Sequence, residues 1–480
     1  MAAEARPIAK LLNKEHTEEE DPREHLMLDP LPREEMNRMV VEAMTTTSKR
    51  YWTLVITLGV LVVVLLFGAW GYMIATGMGV AGIRRPVYWG IFIVTFVFWI
   101  GISHAGTFVS AILRVFKAEF RRPFTRAAEL MTTFGLAAGA LYPLIHLGRV
   151  WVFYWMVPYP NARWLWPNFR SPLVWDFLAI TTYLISSTIY LFLPLIPDLA
   201  MVRDRTTGWR HFIYKILALN WRGTETEWYR LHKAITIFAF AIIPVMFSVH
   251  TIVSWDFAVT MTVGWQSTIF GPYFIIGAIL SGVSAVVMIL YLLRRTLKHM
   301  EYFIRLEVFD SLGKLVLIFS MAWAYFFFNE YLLHWYGGQK VLRDLLTMHA
   351  TGPTAWIWYL MLICNVAIPW LTLWNKNIRR TPWLMFIITL LVNVGMYAER
   401  YTIIPLTLGH QRFPFDWGEY TPRLPEISIV LGTFCLFMFL YLVASRLIPL
   451  IPVWEVQEGQ LAHTRRKVGK AEVTAVSELE

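Results

Sequence analysis

The chain alternates between long apolar segments and short polar connections. Ten of the apolar segments reach the length of about 20 residues that crosses the hydrocarbon core of a bilayer. They lie near residues 51–76, 86–116, 126–157, 172–197, 231–261, 268–293, 305–335, 353–374, 382–408 and 425–451. The pattern predicts an all-α polytopic membrane protein with about ten transmembrane helices.

Composition supports the class of polytopic membrane protein and limits which cofactors the chain could hold. Apolar residues make up 57% and charged residues 16% of the 480 positions, a balance typical of membrane-embedded chains. The two cysteines, Cys364 and Cys435, lie inside apolar segments and form no CxxC motif or Cys/His cluster. The cysteines therefore argue against a c-type haem, a zinc site and an iron–sulfur cluster, and our first expectation is that this chain holds no haem or iron–sulfur cluster of its own.

The basic residues predict an orientation. The formal net charge is +10, and Lys and Arg concentrate in the short loops after helices two, four, six and eight. Loops rich in Lys and Arg stay in the cytoplasm, which explains this charge better than nucleic-acid binding does. Both termini are then cytoplasmic. They comprise an N-terminal arm over residues 1–50, which has no cleavable signal peptide, and a tail over residues 452–480.

A shift of about 180 residues aligns two parts of the chain, placing Pro172-Leu-Val-Trp175 on Pro353-Thr-Ala-Trp356. Polytopic proteins often duplicate a helix bundle. The repeat predicts two four-helix bundles, helices two to five and six to nine, with one flanking helix at each end. Their bounds are residues 51–76, 86–261, 268–408 and 425–451.

The two copies differ at ionisable positions. Asp176 follows Trp175 in the first copy, whereas Ile357 follows Trp356 in the second, and His146 falls near Tyr325. A charged side chain at mid-depth costs about 2.5 to 3.5 kcal/mol, so such residues persist mostly where they work. The first copy keeps ionisable residues at these positions and the second does not, so we expect the functional site in the first bundle.

Several polar side chains are predicted to lie at about one depth, toward the outer ends of their helices. They are His104, His146, Arg149, Asp176, His250, Asp256, Glu399 and Arg400. Structural alternatives remain open for some of them. His104 can bond a neighbouring helix, and Arg149 and Asp256 can reach lipid headgroups. Glu399 can simply neutralise Arg400.

A flat apolar ring with two hydroxyl groups fits this pattern. Tyr183 follows Asp176 by seven residues, about two turns, and so shares its helix face. With Trp175 and the nearby loop aromatics it would hold a quinol ring. Oxidation of a quinol releases two protons, for which His146 and Asp176 are suitable acceptors.

A second polar set lies toward the predicted cytoplasmic side and includes Arg126, Glu129 and Asp310. Ordinary charge near the membrane surface explains it, and so does an inner half-channel for protons. In the second case Glu399 joins these residues as part of a candidate proton path.

The sequence resembles the NrfD/polysulfide-reductase membrane subunits, and among them the ActC quinol-binding subunits of bacterial alternative complex III. The motif Tyr142-Pro-Leu-Ile-His-Leu-Gly-Arg149 carries the resemblance, which covers roughly residues 50–455. It implies a menaquinol site near the periplasmic face of the first bundle. Carried over to this chain, the quinol residues are His146 and Asp176, followed by His104, His250, Asp256 and Arg400.

The resemblance also implies partners in a bacterial cytoplasmic membrane. These are a periplasmic iron–sulfur subunit that takes the electrons, a multihaem cytochrome c subunit, an ActF-like paralogous membrane subunit and small membrane subunits, with proton translocation as a coupled activity. Four alternatives stay open: the membrane anchor of a polysulfide or related reductase, a b-type cytochrome using His104, His146 or His250, a secondary transporter, and an ActF-like scaffold without quinone.

Overall fold

A computed structural model describes residues 31–157, 171–462, 465–468 and 471–474. Within these ranges, ten helices are long and apolar enough to cross a membrane. We number them spans 1 to 10: Lys49–Thr76, Ile91–Val115, Glu119–His146, Pro172–Arg203, Glu225–Ala258, Phe270–Thr296, Leu306–Tyr336, Ala355–Thr372, Pro382–Leu406 and Leu424–Leu447. The all-α class and the ten-helix prediction are confirmed.

Shorter elements connect and extend the spans. The additional helices are Arg33–Thr45, Trp209–Leu217, Met300–Phe303, Lys340–Thr351, Lys376–Arg379 and Val453–Ala462, with 3₁₀ turns at Met78–Val80, Val150–Met156 and Pro414–Asp416. Spans 1, 2, 8 and 9 contain π-helical turns at Val62–Gly68, Phe108–Ile112, Ile363–Ala367 and Thr402–Leu406, and span 3 begins with a 3₁₀ stretch, Glu119–Phe124. Strands Arg465–Val468 and Ala471–Thr474 pair as an antiparallel hairpin in the tail.

Span 2 occupies the centre of the molecule. In its most apolar 18 residues 88% of positions are buried, against 17% in span 1, which lies at the periphery. Span 2 packs on spans 3 and 6. The contact with span 6 is close because Gly101 has no side chain: a Cβ there would stand 3.2 Å from Ser281 Oγ. Small residues at such crossings let membrane helices approach each other.

The expected third helix, 126–157, is correct at its start and wrong at its end. The α-helix begins at Thr125, after the 3₁₀ stretch, and ends at His146. Gly148 follows in the left-handed region with φ of +68°, a conformation that commonly ends helices and that glycine adopts without steric cost. The remaining apolar residues form the separate 3₁₀ segment Val150–Met156.

Successive spans alternate in direction, which defines two sides of the molecule. Span 3 ends and span 4 begins on one side, which we call the His146 side. The opposite side, where span 10 ends, we call the Glu455 side. The N-terminal helix Arg33–Thr45 lies on the Glu455 side, packed against span 10 and the helix Val453–Ala462, with Met36 and Val40 buried.

Candidate functional site

The end of span 3 positions the imidazole of His146. Pro143 lies in its last turn, and its carbonyl accepts a hydrogen bond from the Leu147 N–H at 3.1 Å, while Gly148 N–H donates to Ile145 O at 3.3 Å. The chain then turns away at Gly148, where a Cβ would stand only 2.6 Å from Met78 Cγ. His146 is therefore the last residue of the helix, and its side chain lines a cavity.

Two carboxyl groups reach the same cavity from neighbouring helices. Pro172 occupies the first turn of span 4, where its missing N–H costs no helical bond, and Asp176 follows one turn later. Asp256 lies in the last turn of span 5. Both side chains are 6% exposed, and the two carboxyls contact each other.

The cavity has a volume of about 570 Å³, within the range of about 300–1,000 Å³ usual for ligand pockets. Its other walls are apolar apart from Thr181: Trp89, Ile93, Phe96, Val97, Ala140, Pro143, Leu144, Leu147, Phe153, Leu173, Phe177, Ile180 and Phe257. Leu173 and Phe153 are also 52% and 46% exposed. The cavity thus opens between the end of span 3 and the start of span 4.

Three polar atoms at this site have no hydrogen-bond partner among the described residues: His146 Nδ1, Asp176 Oδ1 and Asp256 Oδ1. Buried polar atoms in proteins are nearly always bonded, so each exception calls for an explanation. An apolar ring bearing hydroxyl groups would fill the cavity and supply the missing partners.

His104 and His250 form a second layer deeper in the molecule. Both are fully buried, and their ring centroids lie 4.6 Å apart. His104 Nδ1 and Nε2 face the carbonyl oxygens of Ile100 and Met246 at 2.8 and 3.0 Å, which leaves no nitrogen for an axial bond to haem iron. Neither nitrogen of His250 makes a hydrogen bond of normal geometry within the described chain.

Three predicted ring-binding residues lie outside the cavity wall. The Tyr183 hydroxyl bonds the Thr107 hydroxyl at 2.7 Å and donates to Ser103 O at 3.3 Å, so it joins span 4 to span 2. Trp175 packs edge-on against Trp255, with centroids 6.1 Å apart. Arg149 is exposed beyond the end of span 3.

Glu399 and Arg400 are paired inside the molecule, at 1% and 2% exposure. Trp323 Nε1 donates to Glu399 at 2.7 Å. The Arg400 guanidinium lies 4.9 Å from the ring centroid of Phe274, which itself packs against His250 at 6.0 Å. Arg400 therefore stands behind the two histidines and does not line the quinol-sized cavity.

The predicted inner set divides into two groups. Arg126 donates to Pro194 O at 2.8 Å and to Asp198 Oδ2 at 3.2 Å, and its Nε lies 3.6 Å from Glu129. Asp310 is separate, because it pairs with Arg379 and Lys314, each at 2.8 Å. The structure therefore brings Arg126 and Glu129 together but not Asp310 with them.

Two acidic residues in this region were not singled out from the sequence. Asp198 lies one position past the expected end of helix four, and Glu455 follows the last span. Glu455 is 1% exposed and accepts from Arg121 at 2.9 Å and Arg114 at 3.4 Å. Burial raises its pKa, but the guanidiniums of Arg121, Arg114 and Arg122 outweigh burial and lower the pKa of Glu455 to about 2. The Glu455 carboxylate binds the C-terminal helix to the ends of spans 2 and 3 on the Glu455 side.

Known proteins of the same kind are membrane subunits of redox enzymes. A putative dimethyl sulfoxide reductase membrane subunit from Halobacterium salinarum is 25% identical over 418 residues, covering 82% of this chain and 91% of the relative. The integral membrane subunit of an Hdr-like menaquinol oxidoreductase of Archaeoglobus fulgidus is 25% identical over 436 residues, covering 86% and 96%. A selenate reductase subunit from Mesobacillus selenatarsenatis is 23% identical over 422 residues, covering 84% and 94%.

The family model for NrfD, polysulphide reductase, matches residues 79–409. This range extends from just after span 1 to just after span 9, and it contains the cavity with His146, Asp176 and Asp256. Because the match covers well over half of the 480 residues, this chain belongs to the NrfD polysulphide-reductase family of membrane subunits of oxidoreductase complexes.

Proposed function

We propose that this chain binds and oxidises a quinol in the cavity between spans 2 to 5, as the membrane subunit of a quinol:acceptor oxidoreductase. The observation that carries the proposal is that His146, Asp176 and Asp256 all line one cavity whose other walls are apolar apart from Thr181. A quinol matches both parts of this lining, since its ring is apolar and its hydroxyls must lose protons. Partner subunits would receive the electrons.

The apolar walls account for ring binding. Trp89, Phe96 and Phe257 present aromatic faces to the cavity, and burial of apolar surface contributes about 25 cal/mol per Å². The opening beside Leu173 lies between two membrane spans, so a lipid-dissolved quinol can enter sideways. Its isoprenoid tail would remain in the opening while the ring reaches Asp176.

The polar residues of the cavity would accept the protons that the quinol releases. Oxidation of a quinol to the quinone removes two electrons and two protons. One hydroxyl would donate to the Asp176–Asp256 pair and the other to His146 Nδ1, the atoms that lack partners. Two carboxylates in contact repel each other, so we expect the pair to share one proton when empty and to release protons toward the His146 side.

The name of one relative supports a quinol type. The Archaeoglobus relative is named a menaquinol oxidoreductase subunit, which supports menaquinol here. We propose an ActC-like place in an alternative complex III type of assembly. In it the His146 side faces the periplasm, an iron–sulfur subunit and a multihaem cytochrome c subunit take the electrons, and an ActF-like paralogue lies beside this chain. Positive charge in the loops of the Glu455 side supports this orientation.

The test is the substitution Asp176→Asn in the purified complex. Loss of the proton acceptor should lower quinol-dependent reduction of the partner subunits about 100-fold or more, while assembly stays intact. Asp204→Asn is the matched control, because Asp204 lies on the Glu455 side and 58% of its side chain is exposed. Turnover of Asp176→Asn equal to that of Asp204→Asn would exclude the assignment.

A second candidate places the same site in a different kind of complex. Two relatives are named as subunits of dimethyl sulfoxide and selenate reductases. Their names support a membrane anchor that passes electrons from quinol to a reductase subunit. That subunit would reduce a small oxidised substrate, or polysulfide. The partner subunits that copurify with this chain distinguish the two, since a multihaem cytochrome identifies the first and a reductase catalytic subunit the second.

A further inference from the structure

A second buried polar cluster lies in the second half of the membrane domain. Glu330 near the end of span 7 is 5% exposed, and His349 on the helix Lys340–Thr351 is 7% exposed. Glu330 Oε1 and His349 Nε2 are buried with no hydrogen-bond partner among the described residues. The sequence comparison of the two copies did not single out either residue.

The helix Lys340–Thr351 explains why the burial of Glu330 is not evident from the sequence. In sequence, Glu330 stands at the end of an apolar segment, where a carboxylate normally reaches the membrane surface. The connecting helix folds back over this end of span 7 and places His349 next to Tyr331, whose hydroxyl lies 3.3 Å from His349 Nδ1. Glu330 is thereby enclosed.

Five residues are held together by short polar contacts. We call them the Glu330 cluster: Ser267, Glu330, Tyr331, His334 and His349. Ser267 Oγ donates to Glu330 Oε2 at 2.5 Å, and His334 Nε2 lies 3.3 Å from Glu330 Oε1. Trp358 Nε1 donates to the Tyr331 hydroxyl at 2.7 Å. Burial, followed by the nearby His410 and His334, lowers the pKa of His349 to about 4, so its imidazole is neutral at pH 7 and can accept a hydrogen bond.

Size decides what the cluster can bind. Glu330, His334 and His349 line a cavity of about 40 Å³, less than a tenth of the volume of the quinol-sized cavity. A buried water needs roughly 10–15 Å³ on this measure, so the space fits a few waters and excludes a ring. The space is therefore suited to water and to an ion no larger than water, of which a proton on a carboxyl group is the simplest case.

The same cavity touches the Glu399–Arg400 pair. Glu399 lines it and contacts the Tyr273 hydroxyl, while Arg400 extends from Glu399 toward Phe274 and His250. A single pair of opposite charges thus lies between the small cavity and the buried histidines of the first site. A change of charge on either side alters the field at the other, and the low dielectric strengthens this effect.

We propose that the Glu330 cluster is a second proton-binding site, hydrated and separate from the quinol cavity, whose occupancy is coupled to turnover at the first site through Arg400 and Glu399. Proton binding itself needs only the cluster, whereas the coupling rests on the proposed quinol oxidation. No electron passes through the cluster. Glu330 takes this proton from water on the His146 side and returns it to water on the same side.

The test compares Glu330→Gln with Glu307→Gln in the purified complex. Both residues lie on span 7, but Glu307 is near its other end and pairs loosely with Arg305 and Arg380 at 3.8 and 3.9 Å. Glu330→Gln should lower quinol-dependent turnover about tenfold, as expected for coupled sites. It should also remove one carboxyl band from the infrared difference spectrum taken between acid and neutral pH. Glu307→Gln should do neither.

Two further variants and a change of Na⁺ concentration distinguish the possible explanations of a lowered turnover. Glu330→Asp should restore most of the turnover, and Ser267→Ala should show a milder loss, which covers the case in which Glu330→Gln fails to assemble. If turnover at fixed pH follows Na⁺ concentration, the bound cation is Na⁺ and the proton assignment is overturned. If Glu330→Gln retains both full turnover and the band while Asp176→Asn is inactive, the second site is excluded and the quinol site stands.

Discussion

Asp176 and Asp256 bring carboxyl groups from two helices into contact on the wall of an apolar cavity. Two such groups act as one acceptor, because ionisation of one opposes ionisation of the other. We predict that Asp176→Asn and Asp256→Asn each lower quinol-dependent turnover about 100-fold, and that the double substitution is little worse than the stronger single one. Steady-state kinetics on the assembled complex measure this. Losses that multiply would show two independent carboxylates.

Filling the cavity should weaken quinol binding without touching the proton acceptors. Ala140 on span 3 lines the cavity, and Ala140→Trp would place an indole where the ring is proposed to lie. We expect the KM for quinol to rise at least about tenfold, the cost of losing one favourable contact worth about 1.4 kcal/mol. Leu178→Trp is the control, since Leu178 is 49% exposed and points away from the cavity. An unchanged KM in Ala140→Trp would place the quinol elsewhere.

For Tyr183 the structure differs from the contact that the helix pattern predicts. Its spacing from Asp176 suggested a ring contact, but its hydroxyl joins Thr107 and Ser103 instead. We predict that Tyr183→Phe lowers the free energy of unfolding by about 1 to 3 kcal/mol, the usual cost of leaving buried partners unbonded, and leaves the KM for quinol unchanged. Thermal unfolding and kinetics on the same preparation test both parts. A raised KM with unchanged stability would restore the ring contact.

The sequence was sufficient for features set by the membrane itself. Apolar length predicted ten spans, and the cost of burying charge identified His146, Asp176 and Asp256, which do line one cavity. It could not predict features set by packing between distant segments. The direction in which Tyr183 points depends on span 2.

The residues missed from sequence share one physical cause. Glu330, Glu455 and Asp198 all lie at or near the ends of apolar segments, where a charge is ordinarily solvated. Each is buried because another part of the chain covers it: the helix Lys340–Thr351 over Glu330, and the C-terminal helix over Asp198, with Trp454 N–H reaching Asp198 Oδ1 at 3.4 Å. A hydropathy pattern carries no signal for such coverage.

Gly148 should be required for the placement of His146. Any other residue would be strained at φ of +68°, by about 1 to 2 kcal/mol, and its Cβ would meet Met78. We predict that Gly148→Ala lowers turnover about tenfold by moving the end of span 3. Gly71→Ala is the control, since a Cβ there meets nothing within 4 Å. Pairing Gly148→Ala with Met78→Ala should recover part of the loss, because it removes the clash but not the backbone strain. Equal turnover in Gly148→Ala and Gly71→Ala would show that this turn does not fix the site.

The C-terminal helix should depend on Glu455 for its attachment. The buried carboxylate pairs with Arg121 and Arg114, while Arg122 donates to the Glu455 backbone carbonyl. Removal of one partner from a buried ion pair costs about 3 to 5 kcal/mol. Glu455→Gln should therefore lower the temperature of unfolding and expose the helix Val453–Ala462 to proteolysis. Glu458→Gln is the matched control on the same helix, because its side chain is 42% exposed and such pairs contribute about 1 kcal/mol or less.

The pH dependence of this attachment has a definite sign. The pKa of Glu455 falls from 4.5 to about 2 in the folded chain, so its ionised form is stabilised by folding, and this contribution is complete above pH 4.5. It is lost as the pH falls toward 2, because the carboxyl then takes up a proton in the folded state as well. The stability difference between the native chain and Glu455→Gln should thus be constant from pH 5 to 7 and shrink below pH 4.5. A difference that instead grew on acidification would mean that Glu455 is held as the neutral acid.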